Sequence, residues 1–451
     1  MRAIRDGLIG LMFCAALSAA PTQADTLKDA IQTAYLQNPD LAFQRKQTAQ
    51  AQEQLAQARS GWRPQVTASG SVGYESLDTT RQLAFDIGDR PIATAQLQAE
   101  QALYAGGRIN SGIRQARAGI GTANAQLAGS EQDLILQVIT SYVDVLRDRE
   151  TIAIRQNSVD LLAEQLRAAE DRFEVGVVTQ TDVAQAKARF EGAQAALASA
   201  EAALESSEAG YTFLIGEPPA ILAPAPSAPM LPDSVEEAIS IALIGNPNLK
   251  ASRFNEQAAD EGVKQAYGAL KPSVSIVATA GLFQTYVDSF RDTSVSAVAQ
   301  ASVPLFEGGL IRSQVRSAKL ERDAARFQTD NIERLIRAQV AQAFFGNRAA
   351  TKAIEASLRQ VEAAEIAFDG AQEELRVGVR TTLDVLDQEQ QLLEAQLSLI
   401  SAERDAYVAA HQLLRAMGAL ELDRLNLDVE AYDPDAYGDF VRRNWLLTDT
   451  E

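Results

Sequence analysis

The chain has 451 residues and a formal net charge of −19, with one cysteine and one histidine. So acidic a balance argues against a nucleic-acid partner, which needs clustered Lys and Arg. The cysteine and histidine counts leave no disulfide framework and no Cys- or His-built metal cluster.

Residues 1–24 read as a secretory signal peptide: a basic start, an apolar run too short to span a membrane, then small residues. Cleavage is expected after Ala24, with a cut after Ala20 as the alternative. Cys14 lies inside the apolar run behind Phe13, a poor residue before a lipidated cysteine, so the mature chain is expected to carry no thiol. No later segment is an uninterrupted apolar run of the length a membrane helix requires.

Residues 25–215 form the first of two repeats: a helix, a β-hairpin at about 64–104, a long helix at about 107–175 and a returning helix at about 180–214. A proline-rich linker follows at 216–233, "GEPPAILAPAPSAPMLPD", which cannot continue a helix. The second repeat, 234–418, has a helix, a hairpin at about 272–305, a long helix at about 309–376 and a returning helix at about 381–417. An acidic tail without counterpart fills 419–451. The repeat is visible in the residues: Asn38-Pro39 answers to Asn246-Pro247 and Pro64 to Pro272, at an offset of 208. "LYAGG" from Leu103 answers to "LFEGG" from Leu305, and "FEVGVVTQTDV" from Phe173 to "LRVGVRTTLDV" from Leu375, now at 202. The change of offset between proline and Gly-Gly points to a loop of different length.

Val66, Ala68, Gly70, Val72 and Tyr74 alternate with polar or small residues, a period of two that predicts a strand; Val274, Ile276, Ala278, Ala280 and Leu282 repeat it. The helical parts keep a 3-4-3-4 spacing, as in Val183, Ala186, Phe190, Ala193, Leu197, Ala200 and Leu204, the mark of a coiled-coil seam. His411 falls in one of these runs and reads as an ordinary residue on a helix face. From Gly107 to Val175 there is no proline, so one helix of about 100 Å is possible. Strands of this length can cross a bilayer, but backbone in lipid must pair all its hydrogen bonds, and four strands are too few to close a barrel. Strands and seams therefore both call for an oligomer.

In the duplicated Asn-Pro-x-Leu segment, in "VPLFEGG" at Val303 to Gly309 and in "VGVRTTLDVLD" at Val377 to Asp387, the chain resembles the TolC family of outer-membrane channels over nearly all its mature length. The resemblance implies a mixed fold: a homotrimer whose four strands per chain close a twelve-stranded transmembrane β-barrel, continued into the periplasm by a long α-helical coiled-coil barrel. It further implies an exit duct joined through a periplasmic adaptor (membrane fusion) protein to an inner-membrane pump of ABC, RND or MFS type, in efflux or type I protein secretion. Neither cofactor nor metal nor catalysis is implied. Under this resemblance Asp384 and Asp387 line the closed periplasmic mouth, where a threefold axis would gather six carboxylates. Asp384 also suits a helix cap with Thr381, as Asp182 does with Thr179, whereas the counterpart of Asp387 is Gln185. Arg380 would reach towards Thr181 and Asp182 as a latch, with Leu375 standing where the family has a tyrosine of that network. The tips Val175, Gly176, Val177 and Val377, Gly378, Val379 would dock onto the adaptor, or close the hairpin only. Gly106, Gly107, Gly308 and Gly309 read as strand-to-helix turns, Tyr74, Phe85, Tyr104, Phe283, Tyr286 and Phe306 as an interfacial girdle, and Trp62 as an anchor or a packing residue. A periplasmic coiled-coil scaffold or adhesin without a pore is the alternative reading.

Overall fold

The computed structural model describes residues 24–76, 90–285, 291–422, 424 and 431–444. The expected signal peptide, Phe85, Tyr286 and much of the acidic tail lie outside the described residues. The first repeat builds α1 (Leu27–Gln37), α2 (Pro39–Ser60), β1 (Gln65–Glu75), β2 (Arg90–Ala105), α3 (Arg108–Glu174) and α4 (Gln180–Ile215). The second repeat builds α5 (Val235–Gly245), α6 (Pro247–Gly268), β3 (Ser273–Thr285), β4 (Arg291–Ser302), α7 (Leu310–Arg376) and α8 (Thr382–Met417), and α9 (Ala436–Arg443) follows. Helices α3 and α7 are 67 residues each, about 100 Å, and α4 and α8 are 36 each.

A returning helix thus covers only about half of the long helix it packs on, and α2 or α6 covers the rest. The join between the two halves explains the duplicated Asn-Pro. Where one helix is expected before each hairpin, the structure has two, because Pro39 and Pro247 supply no N–H and begin a new helix. Asn38 Oδ1 accepts from the amides of Asp40 and Leu41 at 3.0 and 3.2 Å, while its Nδ2 donates to the Leu214 carbonyl at 3.1 Å. Asn246 Oδ1 accepts from the Asn248 amide at 2.9 Å and its Nδ2 donates to the Ala416 carbonyl at 2.9 Å. One buried side chain therefore satisfies orphan groups at both ends of the junction, the start of one helix and the end of another.

The main core lies around this junction. Ile135, Val138, Ile139, Tyr142 and Val145 of α3 pack with Ile31 and Ala34 of α1, Ile336 and Val340 of α7, and Leu413 and Met417 of α8. Each such aliphatic side chain contributes roughly 1.5–3 kcal/mol on burial. The Tyr142 hydroxyl lies 2.9 Å from the Asp25 carbonyl and 2.6 Å from that of Ala223, pinning the N-terminal segment and the linker to α3. Burial pushes this phenol up to about 12. The linker is further tied by a parallel bridge between Asp25 and Leu222. His411 is buried, its Nδ1 2.8 Å from the Tyr407 carbonyl, and burial lowers its pKa.

The four strands form one antiparallel sheet in the order β1-β2-β3-β4, with Ala68 opposite Leu97, Ala99 opposite Ala278 and Ala278 opposite Ala297. Strand β2, at 16 residues, is the longest and carries an irregularity at Ala102/Tyr104. Strand β4 stops at Ser302, short of the expected hairpin end near 305, since Pro304 cannot donate to a ladder. Both outer edges, β1 and β4, lack a strand partner among the described residues. Trp62 is a tie between elements: its indole N–H donates to Asn110 Oδ1 at 3.1 Å, and its carbonyl accepts from Gln101 at 2.7 Å. Of the aromatic positions, Tyr74, Tyr104 and Phe306 are exposed and Phe283 is half-buried.

Gly106 and Gly107 join β2 to α3 with φ of 64° and 89°, and Gly308 and Gly309 precede α7 with 60° and 89°. At Gly106 a side chain is doubly barred, because a Cβ would sit 2.2 Å from the Gly268 carbonyl oxygen. At Gly308 a Cβ would meet nothing within 4 Å.

Candidate gate at the coiled-coil tips

The far ends of α3 and α7 turn in the same way. Gly176 and Gly378 adopt φ of 77° and 80°, the left-handed region that a Cβ disfavours. The amide of Val177 donates to the Arg172 carbonyl and that of Val379 to Glu374, each at 2.9 Å, closing the ends of the long helices. Val175, Val177, Val377 and Val379 are exposed by 72–76 %. Each of the two like-shaped tips thus ends in a pair of bare valines.

Each returning helix starts with a reciprocal capping box. The Thr381 amide and hydroxyl donate to Asp384 Oδ2 at 3.0 and 2.7 Å, and the Asp384 amide donates back to the Thr381 hydroxyl at 3.3 Å. Thr179 and Asp182 repeat this geometry. The hydrogen bonds from Thr381 and Thr179 hold the Asp384 and Asp182 carboxyls below the usual aspartate range.

Asp387, on the same face of α8 and about one turn further on, is not part of the cap. Its Oδ1 accepts from Arg189 Nη2 of α4 at 2.8 Å, an ion pair exposed on both sides. Behind it, Ser158 of α3 donates to Glu389 Oε1 at 2.5 Å, and both are buried. Burial pushes the Glu389 carboxyl up, against the Ser158 hydrogen bond and the Arg189 charge, which lower it. A cavity of about 240 Å³ lies beside this cluster, lined by Arg155, Ser158, Arg189 and Gln390 among others.

In the single chain Arg380 is engaged on its own tip. Arg380 Nε pairs with Glu374 Oε2 on its own tip at 2.5 Å, not with Thr181 or Asp182. The reason is local: Glu374 is in reach across the turn, and the Asp182 carboxylate is engaged by Thr179. Arg189, Ser158 and Glu389 escaped sequence reasoning, because nothing in a regular coiled-coil spacing marks a pairing between helices 198 residues apart. Among the described residues no group of His, Cys, Asp and Glu could hold a metal ion.

This architecture has known relatives. Residues 30–217 and 238–419 match the family described as outer membrane efflux protein, one match for each repeat. The chain belongs to that family. The outer membrane efflux protein BepC of Brucella suis is 32 % identical over 95 % of this chain and 93 % of its own length. Outer membrane protein TolC of Escherichia coli is 25 % identical over 95 % and 89 %. The crystal structure of the outer membrane protein VceC of Vibrio cholerae superposes with a TM-score of 0.74 at 20 % identity, covering 87 % of this chain and 96 % of that one, and shows the shared fold. This outer membrane efflux protein is accordingly a channel component, with its strands in the outer membrane and its helices in the periplasm. The family is one of channels, not enzymes. A scaffold or adhesin without a pore has no place in it.

Proposed function

We propose that three copies of this outer membrane efflux protein close one duct, gated at the tips by Asp384 and Asp387, that carries small molecules out of the cell. The observation that carries it is the one-sidedness of α7. The two long helices correspond at an offset of 202, yet Ala118, Ala125 and Val143 of α3 are buried while Leu320, Phe327 and Phe345 of α7 are exposed by 70, 72 and 55 %. In α3 this flank is covered by elements of the second repeat, such as α6, where Phe254 closes on Gly121 and Asn255 bonds Thr122. For α7 the equivalent cover has to come from α2 and α4 of the next chain. Gly308 makes the same point, open where Gly106 is closed. The edges of β1 and β4, free among the described residues, support a sheet that continues into a neighbour, as lipid demands of any spanning strand.

The exposed tip valines suit an end-to-end contact with a periplasmic adaptor, which links the duct to an inner-membrane pump. In the closed duct Arg380, close to the tip, would leave Glu374 for Thr181 and Asp182 of a neighbouring chain. Efflux is favoured over type I protein secretion by the likeness to BepC over nearly the whole chain. Deleting the protein should render its host hypersensitive to hydrophobic drugs, restored by the wild-type chain. Unchanged susceptibility, with loss of an exported protein instead, would favour secretion.

A further inference from the structure

The seam that α3 makes with α8 inside the chain carries two ion pairs beside its apolar contacts. Arg415 Nε and Nη2 donate to the Asp133 carboxylate at 2.6 and 3.0 Å. Arg404 Nε and Nη2 donate to that of Asp144 at 2.7 and 3.2 Å. The repeat maps α3 onto α7 and α8 onto α4 with one shift of 202. Asp133 and Asp144 then become Leu335 and Gly346, while Arg415 and Arg404 become Phe213 and Ala202. Both acids and both bases have gone together. In the chain itself Phe213 is 78 % exposed and Leu335 is 48 % exposed.

Charge complementarity decides what covers them. Were α7 to meet the α8 of another copy through this seam, Arg404 would face Gly346 and keep only Asp405, Arg415 would face Leu335, and burying a guanidinium without the carboxylate opposite it is costly. Were α3 to meet a second α4, Asp133 would face Phe213. Only α7 against the α4 of another copy leaves no charge stranded. We propose that Leu335 packs on Phe213 of the partner subunit, and Gly346 on Ala202 of the partner subunit. This seam between chains repeats the α3–α8 seam within the chain, with its two ion pairs replaced by apolar contacts. The proposal rests on the trimeric duct argued above and names its joints. The mismatch also dictates order around the ring, since an ionic half-seam refuses an apolar one and the two seam types must alternate.

Beyond Cys14 of the expected signal peptide the chain has no cysteine, so crosslinking is clean. In outer-membrane vesicles carrying the full chain, Leu335→Cys/Phe213→Cys should give disulfide-linked dimers and trimers on oxidation, reversed by reductant. Asp133→Cys/Arg415→Cys should link within the chain and give no ladder. If the first pair gives no linked copies although native gels show intact trimers, the seam is misassigned and the trimeric duct stands. A wild type that is monomeric on those gels would remove the duct reading and the seam with it. Linkage to a different protein would likewise overturn the assignment. A second test does not depend on thiol geometry. Phe213→Arg and Leu335→Asp should each lower the temperature at which trimers dissociate, and the double variant should recover at least half of the loss. Simple addition of the two losses would contradict the contact.

Discussion

Asp384 and Asp387 stand one turn apart on α8, and their surroundings give them different work. The first is occupied by its cap with Thr381, while the second is held by Arg189 across to α4. An exposed pair of this kind contributes at most about 1 kcal/mol to stability, so its effect is on the local charge rather than on the fold. Arg189→Gln should leave folding intact and make the channel more cation-selective, read as a shift of reversal potential in a salt gradient. An unchanged potential would place Asp387 away from the ion path. Gly106 gives a prediction of the opposite kind. Gly106→Ala forces a Cβ against the Gly268 carbonyl in a left-handed conformation, and should destabilise the fold by about 1–3 kcal/mol in thermal unfolding. At this scale the sequence was readable wherever the cause was local. Glycine pairs before a helix and the Thr-x-x-Asp box both declare themselves. Arg189, Glu389 and the Arg380–Glu374 pair did not, because each depends on which helices or turns come to lie side by side.

The helices show why a duplicated motif exists. Asn246 joins α5, α6 and α8 through one carboxamide, and Asn38 does so for α1, α2 and α4. Asn246→Ala removes a cap worth about 0.5–2 kcal/mol and leaves the Ala416 carbonyl without its donor. Hydrogen exchange should quicken at the start of α6 and the end of α8 together. Exchange confined to α6 would deny the bridging role. The capping aspartates make a pH prediction. Their folded pKa values lie below the unfolded ones, so their stabilisation is complete above the ordinary aspartate range and is lost as pH falls through the lowered folded values. Acidification through that window should fray the first turns of α4 and α8, seen as faster amide exchange at Asp182 and Asp384. Helix periodicity was legible in the sequence, and along the seam from Val183 to Leu204 the residues Ala186 and Ala200 are buried and Val183, Phe190, Ala193, Leu197 and Leu204 half-buried. The break at Asn38-Pro39 was not, since a proline after a helical run fits an end, a kink or a fresh start equally well, and the partner that chose among them is Leu214.

On the scale of the whole molecule, the chain is half of its own explanation. It is built from two like units, but only the first has its long helix covered on both flanks. Leu320, Phe327, Leu335 and Phe345 are left bare on the second, and among the described residues the outer edges of β1 and β4 are unpaired. Apolar exposure of this extent on one helix is a contact surface awaiting its partner. A ring in which each chain covers the next would bury it, and would bring the acids of three α8 helices towards one axis. Like charges gathered there favour bound cations and resist the passage of anions. Planar-bilayer conductance of the purified protein, beside an Asp384→Ala/Asp387→Ala variant, reads this acidic mouth. The wild type should form small cation-selective channels, and the variant should show larger conductance with weaker cation block. Intact trimers that never conduct, or two forms with the same conductance and selectivity, would contradict it.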